Sequence, residues 1–134
     1  FVITVAFGNP AEDISGPTPS DSRHKTVEEL CYGELPPEPA LTLLRAARLA
    51  PSGVNLQPVR YFVQDGSIQV YRKNNLVKVP RIENMQRIDT GIALAHLAVQ
   101  AEDNGLHYSI KDLPESAQSF IRDIYVTSLS FEKA

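Results

Sequence analysis

Apolar residues recur along this chain at three different spacings, and each spacing predicts an element. The run Phe1-Val2-Ile3-Thr4-Val5-Ala6-Phe7 is almost continuously apolar and reads as a buried strand stopped by Gly8-Asn9-Pro10. A strand that opens a chain without a polar lead-in suggests further residues upstream or a processed terminus. Proline, glycine and small polar residues then predict a surface loop as far as Ser22. Thr26 with Glu29 three residues later is the signature of a capping box, which starts a short helix ended by Gly33. After Leu35-Pro36-Pro37-Glu38-Pro39 the spacing becomes helical. Ala40, Leu44 and Ala47, flanked by Leu41 and Leu43, place one apolar stripe on a helix over residues 39–50, with Arg45 and Arg48 toward water. Pro51 stops that helix, because it has no amide hydrogen and pushes Ala50 out of the α region.

Beyond Pro51 the period falls to two. Residues 61–64 and 67–71 are β-rich and flank Asp65-Gly66, the dipeptide of tight type I′ turns, so they predict a β-hairpin. Residues 72–81 are basic and broken by Asn74-Asn75 and Pro80, which predicts an irregular connection. The longest helix follows over residues 83–104. Met85, Ile88, Ile92, Ala95 and Val99 form one apolar stripe and Gly91, Leu94, Ala98 and Ala101 a second, which predicts a helix buried on most sides. Gly105 stops it, residues 107–110 read as a strand, 114–121 as a short helix and 124–131 as a final strand.

Between the second helix and the hairpin lies Ala-Pro-Ser-Gly-Val-Asn-Leu-Gln-Pro, residues 50–58, which displays a hydroxyl, a flexible backbone and an amide beside chain that can approach a ligand closely. Two readings stand for Ser52 and Asn55: they face a ligand, or they terminate a helix and satisfy loop backbone. Composition narrows the function. With 134 residues, 43% of them hydrophobic and 22% charged, the chain is long enough for one core, and it is read as a single domain. A net charge of −3 argues against nucleic acid or an anionic membrane as partner, and no stretch is long and apolar enough to span a bilayer. Cys31 is the single cysteine, so no internal disulfide and no cysteine cluster forms, as suits a reducing cytoplasm. His24, His96 and His107 lack metal-ligand spacing, so no metal site is expected, and His96 reads as a packing or hydrogen-bonding residue.

Residues 50–58 resemble the nitroreductase signature A-P-S-x-x-N-x-Q-P-W. Asp-Thr-Gly-Ile-Ala-Leu-Ala-His-Leu-Ala, residues 89–98, is similar to that family's central helix, and Val-Ala-Phe-Gly-Asn-Pro followed by Ser-Arg-His-Lys-Thr-Val-Glu-Glu-Leu resembles its closing strand and arginine-bearing tail. Closing strand and tail precede the A-P-S motif here, an order similar to variants in which two half-like copies are fused, and this chain resembles the second copy. The resemblance covers roughly residues 1–106. It implies an α+β fold, a mostly antiparallel sheet packed against helices with a long central buried helix, and FMN held where two halves meet. It further implies an oxidoreductase passing electrons from a nicotinamide through flavin to a nitroaromatic, quinone or similar acceptor, with a dimer or a second half as partner. By the family pattern Pro51, Ser52, Gly53 and Asn55 lie against the flavin ring, and Arg23, helped by Lys25, meets its phosphate. Val59 stands where the family has tryptophan, and its opening R-x-S-x-R element is absent. Those two departures favour an alternative role, a non-catalytic flavin-binding or pairing scaffold.

Overall fold

A computed structural model describes residues 23–76, 78–118 and 122–133. The strand expected at the start and the loop after it lie outside the described residues. In chain order come α1 (Val27–Leu30), β1 (Cys31–Tyr32), α2 (Ala40–Ala47), a 3-10 turn (Gly53–Asn55), β2 (Val59–Gln64), β3 (Ser67–Arg72), α3 (Pro80–Asp103), β4 (Leu106–Lys111), a second 3-10 turn (Glu115–Ala117) and β5 (Ile124–Lys133). The fold is α+β: five strands in the order β1-β2-β3-β5-β4, with β1 parallel to β2 and every other pair antiparallel.

Local chemistry accounts for most boundaries. Thr26 accepts from the Glu29 amide while Glu29 reaches back to the Thr26 amide, so the expected capping box forms at α1. Asp65 and Gly66 both have positive φ, 51° and 72°, as a type I′ turn requires, and they join β2 to β3 in the register Tyr61↔Val70. Gly105 ends α3 with φ of 64°. Pro80 occupies the first turn of α3, where its missing amide costs no helical hydrogen bond, so the helix begins three residues before the position that apolar spacing predicts.

Helices α2 and α3 pack on each other across one face of the sheet. Leu43, Leu44, Tyr61, Ile68, Val70, Leu97 and Leu129 are almost completely buried there, each worth about 1.5–3 kcal/mol of apolar burial. The row of α3 that turns inward is Gln86, Asp89, Thr90, Ala93, Leu97 and Ala101. It is not the first stripe that apolar spacing suggests, since Ile88 and Val99 are 67% and 65% exposed. Half of the buried row is polar, so a hydrophobicity pattern misses it; hydrogen bonds to other elements, and for Thr90 one within the helix, permit its burial. Thr90 donates to the Gln86 carbonyl, Gln86 accepts from Arg72 and Asn75, and Asp89 accepts from the Gly53 amide.

Candidate functional site

The segment after α2 is built by backbone accounting. Helical bonding tightens to i→i−3 at Leu49 and Ala50, and Pro51, without an amide hydrogen, takes the chain out of the helix. Ser52 is extended; Val54, Asn55 and Gln57 then adopt left-handed backbone, with φ of 45°, 56° and 47°. For residues with side chains that conformation costs roughly 1–2 kcal/mol each, most of all for β-branched Val54. Four bonds hold it. The Gly53 amide donates to Asp89 Oδ1 at 3.0 Å, the Gln57 amide donates to Ser52 Oγ at 2.9 Å, and the Asn55 and Leu56 amides donate to the Ser52 and Gly53 carbonyls. A Cβ on Gly53 would overlap the Met85 side chain on α3, which would have to move to admit it.

This loop and the segment before α1 lie side by side. Gln57 is the clamp between them: its Nε2 donates to the Arg23 carbonyl at 2.9 Å and to Asn55 Oδ1 at 3.0 Å, and its Oε1 accepts from the Lys25 amide at 2.6 Å. Asn55 Nδ2 donates to the same Arg23 carbonyl at 3.2 Å. Two more bonds tie the segment to the end of α2, His24 Nδ1–H to the Arg48 carbonyl at 2.6 Å and Arg48 Nε to the Lys25 carbonyl at 3.0 Å. Arg48 is therefore half-buried and committed to backbone, whereas Arg45 is exposed and pairs with Glu38 at 3.2 Å. His96 is likewise engaged, with Nδ1–H donating to the Ala46 carbonyl at 3.2 Å.

Residues distant in sequence are thus assembled around one loop. Pro51, Ser52, Gly53 and Asn55 lie on it, while Arg23 and Lys25 lie on the adjoining segment, the Arg23 side chain exposed and Lys25 half-buried. Their roles differ. Gly53 spends its amide on Asp89, Asn55 spends both ends of its side chain within the protein, and the Ser52 hydroxyl accepts one bond with its own hydrogen left to donate. Two positioning residues, Gln57 and Asp89, escaped the sequence reading. Gln57 sits inside the quoted motif, and Asp89 stands four and eight residues before Ala93 and Leu97, so an acid on the core-facing row of a helix was the available signal.

Asp89 is 4% exposed and its Oδ2 has no partner among the described residues. It lines a cavity of about 20 Å³ together with Ala47, Ala50, Ser52, Gln57 and Tyr61. Such a space holds roughly one water and no ring system. On the outer side of the loop Pro51 is exposed, Val54 is 85% exposed and Leu56 is 41% exposed. Exposed apolar groups next to cationic Arg23 and Lys25 are the chemistry that an amphipathic, phosphate-bearing ring needs, so these residues fit a flavin nucleotide. Cys31 is half-buried and burial pushes its thiol pKa up, away from the reactive thiolate. No three His, Cys, Asp or Glu side chains group as a metal site among the described residues, where no helix is long and apolar enough to cross a membrane.

The model of the family described as "Putative TM nitroreductase" matches residues 1–101. Among solved structures, the fold is similar to that of a putative nitroreductase from Thermotoga maritima, with a TM-score of 0.59 and 20% identity. The alignment covers 81% of this chain and 42% of that one, so this chain spans less than half the length of the protein it matches. No curated protein matches the chain.

Proposed function

Because the chain belongs to this nitroreductase family, we propose that it forms part of an FMN-dependent oxidoreductase. When bound, FMN supplies the redox chemistry, accepting electrons from a nicotinamide and delivering them to a nitroaromatic, quinone or similar electron-poor acceptor. The observation that carries this reading is the junction at Gln57, which holds the A-P-S loop against the cation-bearing segment so that apolar and cationic groups lie together.

In this reading Pro51, Val54 and Leu56 offer an apolar wall to the ring, and the Ser52 hydroxyl donates to a polar atom on its edge. Arg23 and Lys25 meet the phosphate. Gly53 and Asn55 act through the loop, the first by its amide on Asp89 and the second by its bonds to Arg23 and Gln57. Their contribution is pre-organisation: the strained backbone is held before any ligand arrives, so less ordering is left to oppose binding. The exposed apolar row of α3, with Ile88 and Val99, is where a second half or a second copy packs.

Of the non-catalytic flavin-binding or pairing scaffold, the pairing form, a half that holds no flavin of its own, is favoured by one feature. Most of the loop's polar groups are already satisfied inside the protein. Visible absorbance of the purified full-length protein decides between them. A flavin spectrum released as FMN on denaturation supports the enzyme reading, and a colourless protein that takes up no added FMN refutes it in favour of the scaffold.

A further inference from the structure

Cations from three separate segments converge beside Gln57 and Pro58. Lys25 is held there by its amide on Gln57 Oε1. Arg60, in β2, folds back so that its guanidinium donates to the carbonyls of Gln57 at 3.0 Å and Val59 at 2.7 Å. The Lys73 amide donates to the Pro58 carbonyl at 2.9 Å and continues the β2–β3 ladder past Arg72. Since Arg60 pairs with Tyr71, alternation along the strand puts Lys73 on the same sheet face as Arg60, its diagonal neighbour at about 7–8 Å between backbones. That face is opposite the one α2 and α3 cover. We propose that Lys25, Arg60 and Lys73 together form a binding site for a phosphate monoester.

Three observations favour an anion over a merely solvated patch. Among the described residues none of the three has a carboxylate within 4.0 Å, the ion pairs being Arg45–Glu38 and Lys78–Glu83. The carboxylate that borders this face, Asp123, makes its hydrogen bonds with the Tyr32 hydroxyl and the Asn74 amide and no ion pair with the three cations among the described residues. Lys25 and Arg60 are only half-buried and Lys73 is exposed, so the cluster is open to a ligand. Its members repel one another: burial first, then the charges of Arg60 and Lys73, lower the Lys25 pKa, with Glu29 opposing. An arriving dianion relieves that repulsion and gains charge-assisted hydrogen bonds. A monoester suits the site because its terminal oxygens can meet separate donors from three directions.

Two sources bear such a group, the 5′-phosphate of FMN and the 2′-phosphate of NADPH. The choice of source rests on the flavin reading above, while the site itself does not. Full-length protein is titrated with inorganic phosphate and followed by NMR at residues 25, 60 and 73. A saturable shift that weakens about tenfold in Lys73→Glu and in Arg60→Gln, but not in the control Lys78→Gln, upholds the proposal. No saturable shift, or unchanged affinity in Lys73→Glu, overturns it; Lys73 is exposed, so that variant keeps its fold. Comparing FMN with riboflavin and NADPH with NADH then identifies the source, as the pair in which Lys73→Glu weakens only the phosphate-bearing member. Wild type that binds FMN while Lys73→Glu binds phosphate, FMN and NADPH undiminished overturns the cluster and leaves the flavin reading intact. Phosphate binding without flavin binding upholds the cluster and removes the flavin reading.

Discussion

Replacing Asp89 by alanine separates the stability of the A-P-S loop from that of the core. The loop carries three left-handed residues, Val54, Asn55 and Gln57, which together store roughly 3–6 kcal/mol of backbone strain. The bond from the Gly53 amide to the Asp89 carboxylate is worth about 1.5–3 kcal/mol, comparable with half of that strain. Losing it lets the loop open. Global stability changes less, since this bond holds the loop and not the sheet. Hydrogen exchange of the full-length protein reads the two effects apart. In Asp89→Ala the amides of Asn55, Leu56 and Gln57, each bonded within the loop, should exchange roughly ten- to a hundredfold faster. Ile68 and Val70, buried in central β3, should change little. Asp89→Asn keeps an acceptor for Gly53 and should recover roughly a third to a half of the lost free energy, a neutral bond being worth about 0.5–1.5 kcal/mol. Unchanged loop amides, or core amides accelerated equally, would refute the assignment of Asp89 as the residue that positions the loop.

Three further outcomes are expected. Arg23→Ala removes the guanidinium but leaves the Arg23 carbonyl that anchors Asn55 and Gln57, so FMN affinity should fall by about 1.5–3 kcal/mol with riboflavin nearly unchanged; equal loss for both flavins in a titration would show that Arg23 acts through folding. Burial, and then the hydrogen bond to Asp123, push the Tyr32 pKa up to about 12 from an ordinary 10.0, so the folded state holds that proton more tightly. Its contribution to stability is complete below pH ~10 and is lost as pH rises toward ~12, and Tyr32→Phe should flatten the fall of the urea midpoint over that window, whereas an equally steep fall in the variant would exclude Tyr32 as the cause. Ile88→Glu combined with Val99→Glu puts charge on the exposed apolar row of α3, and sedimentation should show weaker self-association or weaker pairing with a second half; identical assembly of variant and parent would mean that another surface is used.

Elements whose cause is local were legible from the sequence. The capping box of α1 needs only Thr26 and Glu29, the hairpin only Asp65-Gly66 between β-rich runs, and the ends of α2 and α3 only Pro51 and Gly105, because each acts through bonds or dihedral limits spanning a few residues. The A-P-S loop was also visible, as a motif. Which face of α3 turns inward was not. Apolar spacing pointed to Ile88 and Val99, while the structure buries Gln86, Asp89 and Thr90, whose burial is permitted by partners on β3, on the A-P-S loop and one helical turn back. Hydrogen bonds between segments leave no periodicity in the chain that makes them. For the same reason nothing in the motif marks Gln57 as the clamp that its bonds to Arg23, Asn55 and Lys25 make it. Only the hairpin register places Arg60 and Lys73 on one face. Sequence by itself determined the turns, the caps and the motif, since their energetics are local; tertiary structure decided which polar groups meet, because desolvation and pairing exist only once distant segments share the same space.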